Sequence, residues 1–250
     1  MKFNVVVGNP PYQKSGVTLG QGQIYPKFIK QSMNILTENG SLVFITPPTF
    51  LKDKIKCING AQIKWIMTDV SHHFSVGSTI IAYELIKTHT PIITQLITVK
   101  SSDYIQINYD SLIPVGHMNK ISFSVIDKLY SASGDYFDFI RDEKPFPLNA
   151  VFIRRQNRNK YFNAVLSNDI TNPNQDYTSA KNPENKKALL NSKLFSFIYM
   201  CYSTSPFITL GFINKIPVPN EQFKKMSDKE IYEYYGLTEE EINYIEESVK

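Results

Sequence analysis

Cysteine is nearly absent. Cys57 and Cys201 are the two among 250 residues, too few for a disulfide framework or a cysteine-based zinc site, so a reducing, cytoplasmic setting is expected. No apolar run approaches the ~20 residues that a membrane span requires, and Met1-Lys2 leads into a strand pattern rather than a leader. No membrane association is therefore expected. The adjacent His72-His73 has no acidic or cysteine neighbour at ligand spacing, so no metal is expected either. A phosphate-cradling loop is also missing: Gly20-Gln21-Gly22 is the nearest approach, but no strand feeds it and the full spacing is absent. The Lys14 to Gln23 stretch reads as a loop beside the segment that precedes it.

Charge of one sign dominates only locally. Residues 1–125 carry 11 basic against 6 acidic side chains, residues 126–219 carry 12 against 8, and residues 220–250 carry 4 against 9. A basic body with an acidic tail suits a phosphate backbone, although so modest a surplus is common in proteins that bind no nucleic acid. With 42% hydrophobic and 20% charged residues, the composition is that of an ordinary globular chain, long enough for one large domain or two small ones.

What is present begins at Phe3-Asn4-Val5-Val6-Val7-Gly8-Asn9-Pro10-Pro11-Tyr12. The β-branched run reads as a fully buried strand that stops at a glycine. Pro10 and Pro11 fix their own φ angles and bar the residues before them from helix, so the corner is stiff and extended. Asn9 offers a side-chain acceptor and Tyr12 a flat π-face. Such a set can bind an exocyclic amino group and stack on its ring, which fits a base taken out of a nucleic-acid helix.

From Tyr25 the pattern is helical, with Phe28, Ile29, Met33, Ile35 and Leu36 on an apolar side and Asn39-Gly40 as the expected C-cap. Ser41 to Thr46 reads as a parallel buried strand closed by Pro47-Pro48, which completes a βαβ unit. Ile63 to Asp69 and Ile80 to Lys87 read as a further strand and its hairpin partner. Between residues 91 and 145 come shorter alternating runs and a helix from Ser122 to Ala132. A domain boundary is placed near residue 100. Ser227 to Glu230 and Thr238 to Glu241 are capping boxes for two helices in the acidic tail, with Gly236 between them.

One later stretch carries binding chemistry. Arg154, Arg155, Arg158 and Lys160, interleaved with three amides and flanked by Phe152, Tyr161 and Phe162, suit phosphate neutralisation, base-edge hydrogen bonds and stacking. A solvated turn between two strands is the competing reading of the same run.

The Asn-Pro-Pro-Tyr corner after a strand resembles the amino-directed DNA methyltransferases. The closest resemblance is to N6-adenine enzymes of the type II restriction-modification group with a C-terminal target-recognition domain. Thr46-Pro47-Pro48-Thr49-Phe50-Leu51, the Asn191-Ser192 segment and Leu210 to Pro219 resemble that family as well. The resemblance implies an α/β fold: a partial Rossmann-like sheet over residues 1–100, an α+β target-recognition domain over 101–219, and an acidic helical tail over 220–250. It implies methyl transfer from S-adenosylmethionine to a flipped adenine in double-stranded DNA. Asn9 and the Pro10 carbonyl would accept from the amino group, Tyr12 would stack and Pro11 would be a rigid spacer. Family members hold the cofactor with a glycine loop and an acidic residue on strands that precede the corner. Only eight residues precede Asn9, and none of Gly116, Gly134, Gly211 or Gly236 follows a buried strand in the needed pattern. The cofactor-binding half is accordingly expected on a partner subunit that docks on the exposed edge strand. The alternative is an inactive, methyltransferase-like DNA-binding or interaction module.

Overall fold

The computed structural model describes residues 1–14, 22–53, 58, 60–68, 70–74, 79–132, 134–141, 149–154, 162–166, 177–203, 208–219 and 226–250. The chain is mixed α/β and divides into two compact units. One is Met1–Tyr109 with Met118–Lys120; the other is Asp110–His117 with Ile121–Lys250.

The first unit is a six-stranded mixed sheet. Its elements in chain order are β1 (Phe3–Gly8), α1 (Tyr25–Ile35), β2 (Leu36–Thr46), β3 (Gln62–Met67), β4 (Ile81–Ile86), β5 (Thr94–Ile97) and β6 (Ser102–Ile105), and the spatial order is β1-β2-β4-β3-β5-β6. Parallel β1 and β2 flank the α1 crossover, as the sequence pattern predicts, and β3 pairs antiparallel with β4. The sheet runs on past residue 100, because β5 and β6 pair antiparallel across that point.

Register places Leu42, Phe44, Tyr83, Leu85, Ile63, Ile66 and Leu96 on one face, all buried. Phe50 stacks on Tyr83 there at 4.6 Å. The opposite face is less covered: Val5, Val7 and Met67 are exposed, and Val43, Ile45 and Trp65 are half-buried. In its middle Glu84 is buried, accepting from Trp65 Nε1 at 2.6 Å and Ser41 Oγ at 2.7 Å.

Two expectations need correction. β1 is not a buried strand: Phe3, Val5 and Val7 are 43%, 56% and 71% exposed. It lies at the end of the sheet, and among the described residues its outer edge has no strand partner. Exposure is decided by neighbours, which a β-branched run does not specify. Nor is Asn39-Gly40 a helix C-cap. The helix stops at Ile35, capped by the extended Leu36 whose N–H donates to the Ser32 carbonyl. Asn39, at φ 60°, instead turns a bulge within β2, between its Leu36 and Ser41 pairings to β1. A Cβ on Gly40 would stand 3.0 Å from the Thr37 carbonyl oxygen and 3.1 Å from that of Asn4, so this tight bulge favours glycine, and a side chain there would push on two backbone oxygens.

The second unit contains α2 (Lys120–Ser131), of which Ile121 onward belongs to it, then β7 (Gly134–Tyr136), β8 (Ile140–Arg141), β9 (Val151–Ile153), β10 (Val165–Leu166) and β11 (Tyr177–Ser179). There follow α3 (Pro183–Leu190), α4 (Lys193–Tyr202), α5 (Leu210–Ile213), β12 (Pro217–Pro219), α6 (Asp228–Tyr234) and α7 (Glu239–Ser248). A four-stranded sheet runs β10-β9-β11-β8, and β12 pairs with β7. Two asparagines in the segments singled out by sequence act as surrogate backbone. Asn191 exchanges two hydrogen bonds with Ala164, at 2.8 and 2.9 Å. Asn214 does the same with Phe139, at 2.8 and 2.7 Å. Ser192 caps α4, and Ser227/Glu230 and Thr238/Glu241 form the two capping boxes. Ile231, Tyr232, Ile245 and Val249 of the acidic tail enter the same core as α4.

Candidate active site

The corner sits where β1 ends. Gly8 is in register with Phe44, so Asn9 and Pro10 leave the sheet beside the carboxyl end of β2, where Thr46 gives way to Pro47-Pro48. This is the end at which open α/β sheets bind ligands. Pro10 is buried, Pro11 and Asn9 are exposed, and Tyr12 is half-buried.

Tyr12 is held from three directions. Its carbonyl accepts the Ile24 N–H at 3.1 Å, and Gln13 bridges Gln23. Its ring meets Tyr25 edge-on, with centroids 6.3 Å apart and planes at 81°, a favoured aromatic geometry. Its hydroxyl donates to Asn9 Oδ1 at 3.0 Å. Tyr25 is wholly buried, and its hydroxyl bonds the Thr49 hydroxyl. The second Pro-Pro corner is thus a buttress: Thr49 braces Tyr25 and Tyr25 braces Tyr12. Neither Tyr25 nor Thr49 was singled out as a site residue from sequence, and their meeting across 24 positions leaves no local signature.

Burial shifts two titratable groups of this unit. Burial raises the Tyr12 phenol above its ordinary value, so it remains a protonated donor through the neutral range. Burial also pulls the Lys52 ammonium, in the 3-10 turn Pro48–Asp53, down to about 8.

The other sequence candidates are distributed differently. Arg154 is exposed directly after β9; Arg155, Arg158 and Lys160 lie outside the described residues. Arg141, which sequence reading passed over, ends β8. Through Tyr177 of β11 it shares a rung with Ile153, the residue before Arg154. His72 and His73 are exposed in a 3-10 turn. Among the described residues no group of three or more His, Cys, Asp or Glu could hold a metal, and no helix is long and apolar enough to cross a membrane. Asp69 lies outside the described residues.

Residues 1–69, which include the whole corner and its buttress, match the model of the Eco57I restriction-modification methylase family. Over that stretch the chain is similar to restriction-modification methylases. Among curated proteins none matches. Of solved structures, the M1.HpyAVI-SAM complex is 19% identical, with 44% of this chain and 55% of that chain covered and a TM-score of 0.23. The type IIL restriction-modification enzyme MmeI in complex with DNA is 10% identical, with 98% and 54% covered and a TM-score of 0.43. The chain spans about half the length of these structures.

Proposed function

We propose that this chain is the catalytic and DNA-recognition portion of a site-specific adenine-N6 DNA methyltransferase. The observation that carries this reading is the rigid Asn-Pro-Pro-Tyr corner at the carboxyl end of β1, with an exposed Asn9 beside a Tyr12 braced from behind. An adenine flipped out of the duplex stacks on Tyr12. Its amino hydrogens are accepted by Asn9 Oδ1 and the Pro10 carbonyl, and Pro11 keeps the two acceptors apart. Holding both hydrogens draws electron density onto the nitrogen and leaves its lone pair directed away from the acceptors, free to attack an electrophilic carbon, after which one amino proton is lost.

S-adenosylmethionine supplies an electrophilic methyl group to such a nitrogen. The described residues do not fit that cofactor on their own, because the parallel pair β1 and β2 ends in two proline corners rather than in a glycine turn with a facing carboxylate. The cofactor-binding half is therefore assigned to a partner in trans, added at the edge of β1, where among the described residues no strand pairs and exposed valines invite one. The second unit up to residue 219, Asp110–His117 with 121–219, is assigned to target recognition in place of 101–219, because β6 belongs to the first sheet. There Arg154, Arg155, Arg158 and Lys160 neutralise backbone phosphates of double-stranded DNA, and the tail 220–250 is assigned to packing.

The test is methyl incorporation into DNA by the chain together with a complementing cofactor half. Asn9→Ala abolishes transfer and leaves DNA affinity nearly unchanged; undiminished turnover would remove Asn9 from the mechanism. The isolated chain is expected to bind DNA with an affinity that falls steeply with salt and to show no calorimetric binding of S-adenosylmethionine. Tight binding of the cofactor by the chain alone would overturn the assignment to a partner.

A further inference from the structure

The acceptor on which the proposed function depends is already in use. Asn9 Oδ1 receives the Tyr12 hydroxyl at 3.0 Å, and a phenolic O–H donates close to the plane of its own ring. A base stacked on that ring lies in a parallel plane ~3.5 Å away, and its amino hydrogens point within that second plane. An amide oxygen accepts best from hydrogens near its own amide plane; with that plane turned to the tyrosine hydroxyl, Oδ1 is poorly placed for hydrogens that lie in the base's plane, although it has a second lone pair.

Which group yields follows from how each is held. Tyr12 is fixed by the Ile24 N–H on its carbonyl, at 3.1 Å, and by the buried Tyr25 against its ring. Asn9 is exposed, so its side chain can turn about its two rotatable bonds once the tyrosine hydroxyl lets go. Resting on the reading of the corner as an amino-group site, we propose that the Tyr12 hydroxyl is an exchangeable occupant of the Asn9 acceptor, which the exocyclic amino group of an extruded base replaces when the Asn9 amide swings from the ring's plane into the base's. Tyr12 then has two separable parts. The ring attracts any base. The hydroxyl sets how strongly the site favours a base that brings its own N–H, since an amine must supply at least what the phenol gave.

Two substitutions separate these parts. Tyr12→Phe keeps the ring and the edge contact with Tyr25 and removes the competitor; Asn9→Ala removes the acceptor. The probes are two duplexes, one with a single bulged adenine and the other with a bulged purine nucleoside lacking the amino group. They are titrated by fluorescence anisotropy at one salt concentration, and the ratio of their dissociation constants isolates the amino contact.

The wild-type chain is expected to favour adenine, and Asn9→Ala to lower the ratio towards one, leaving the share that the Pro10 carbonyl supplies. Tyr12→Phe should raise the ratio about threefold or more, the size of one neutral hydrogen bond no longer spent on the competitor. If the wild type favours adenine and Asn9→Ala lowers that preference, but Tyr12→Phe leaves it equal or lower, the exchange is overturned and the amino-group site stands. If neither the wild type nor Tyr12→Phe distinguishes the probes, the amino-group site itself fails and the exchange falls with it.

Discussion

Val7 pairs with Val43 in the parallel ladder between β1 and β2, yet Val7 is 71% exposed while Val43 is half-buried. Parallel strands are ordinarily covered on both faces, because their crossovers lay helices there. An uncovered β-branched parallel strand at a sheet edge is a surface suited to a further strand and its helix. Replacing Val5 and Val7 together by lysine should therefore change the unfolding free energy of the chain by no more than about 0.5 kcal/mol each, as for other exposed positions. The same change should abolish association with a cofactor-binding half. Urea unfolding and sedimentation check the two arms, and a loss of several kcal/mol would mean that the valines pack within this chain.

Thr49 acts on the corner from behind. Its hydroxyl bonds that of Tyr25, whose ring is wholly buried and stands edge-on to Tyr12. Thr49→Val keeps the shape and removes the bond, which should cost about 1–2 kcal/mol in denaturant unfolding. It should also lower methyl transfer, while Thr49→Ser restores both. Retention of full activity in Thr49→Val would show that Tyr12 needs no brace.

Much of this arrangement was legible because its signals are local. The strand, the proline corner, the α1 crossover and the two capping boxes each depend on residues within a turn or two of one another. The Asn39 signal for a left-handed residue was also real, but the same backbone preference serves a strand bulge as well as a helix end. What could not be read were pairings between distant segments. Examples are β5 and β6 joining the first sheet, the neighbours that decide how exposed β1 is, and the meeting of Tyr25 with Thr49. The Tyr12 hydroxyl on Asn9 was missed for a different reason: the two are three positions apart, but only the geometry of the proline corner turns one toward the other.

Glu84 holds the middle of the less-covered face. Its carboxylate accepts from Trp65 Nε1 at 2.6 Å, Ser41 Oγ at 2.7 Å and Lys64 Nζ at 3.3 Å, and so ties β2 and β3 to β4. The bond to half-exposed Lys64 adds little. The bonds to the indole and the hydroxyl matter more, because truncation strands two half-buried donors. Glu84→Ala should destabilise the chain by about 2–4 kcal/mol, while Glu84→Gln, which still accepts from the indole, should cost roughly half as much. Equilibrium unfolding monitored by Trp65, the single tryptophan, reads both. A loss below about 1 kcal/mol in Glu84→Ala would mean that water replaces the carboxylate without penalty.

Acid should loosen the last helix, and the sign follows from Glu241. Burial pushes its carboxyl up. Against that, Lys128 Nζ donates to it at 2.7 Å, Ser124 Oγ at 2.6 Å and the Thr238 N–H at 2.7 Å, and together with the Lys128 charge they outweigh burial and hold it below the ordinary carboxylate value. A carboxyl depressed in the folded state stabilises fully above its unfolded pKa, about 4.3 for glutamate, and that contribution is lost as pH falls through the folded value. Glu246, lowered chiefly by its hydrogen bond from Lys193, works in the same direction. Because Ile245 and Val249 belong to the core, protonation should detach α7 first, seen as early amide exchange of residues 239–248 below about pH 4.5. Glu241→Gln should show weaker protection of these amides already at pH 7 and a shallower decline on acidification. An unchanged decline in Glu241→Gln would place the acid-labile groups elsewhere.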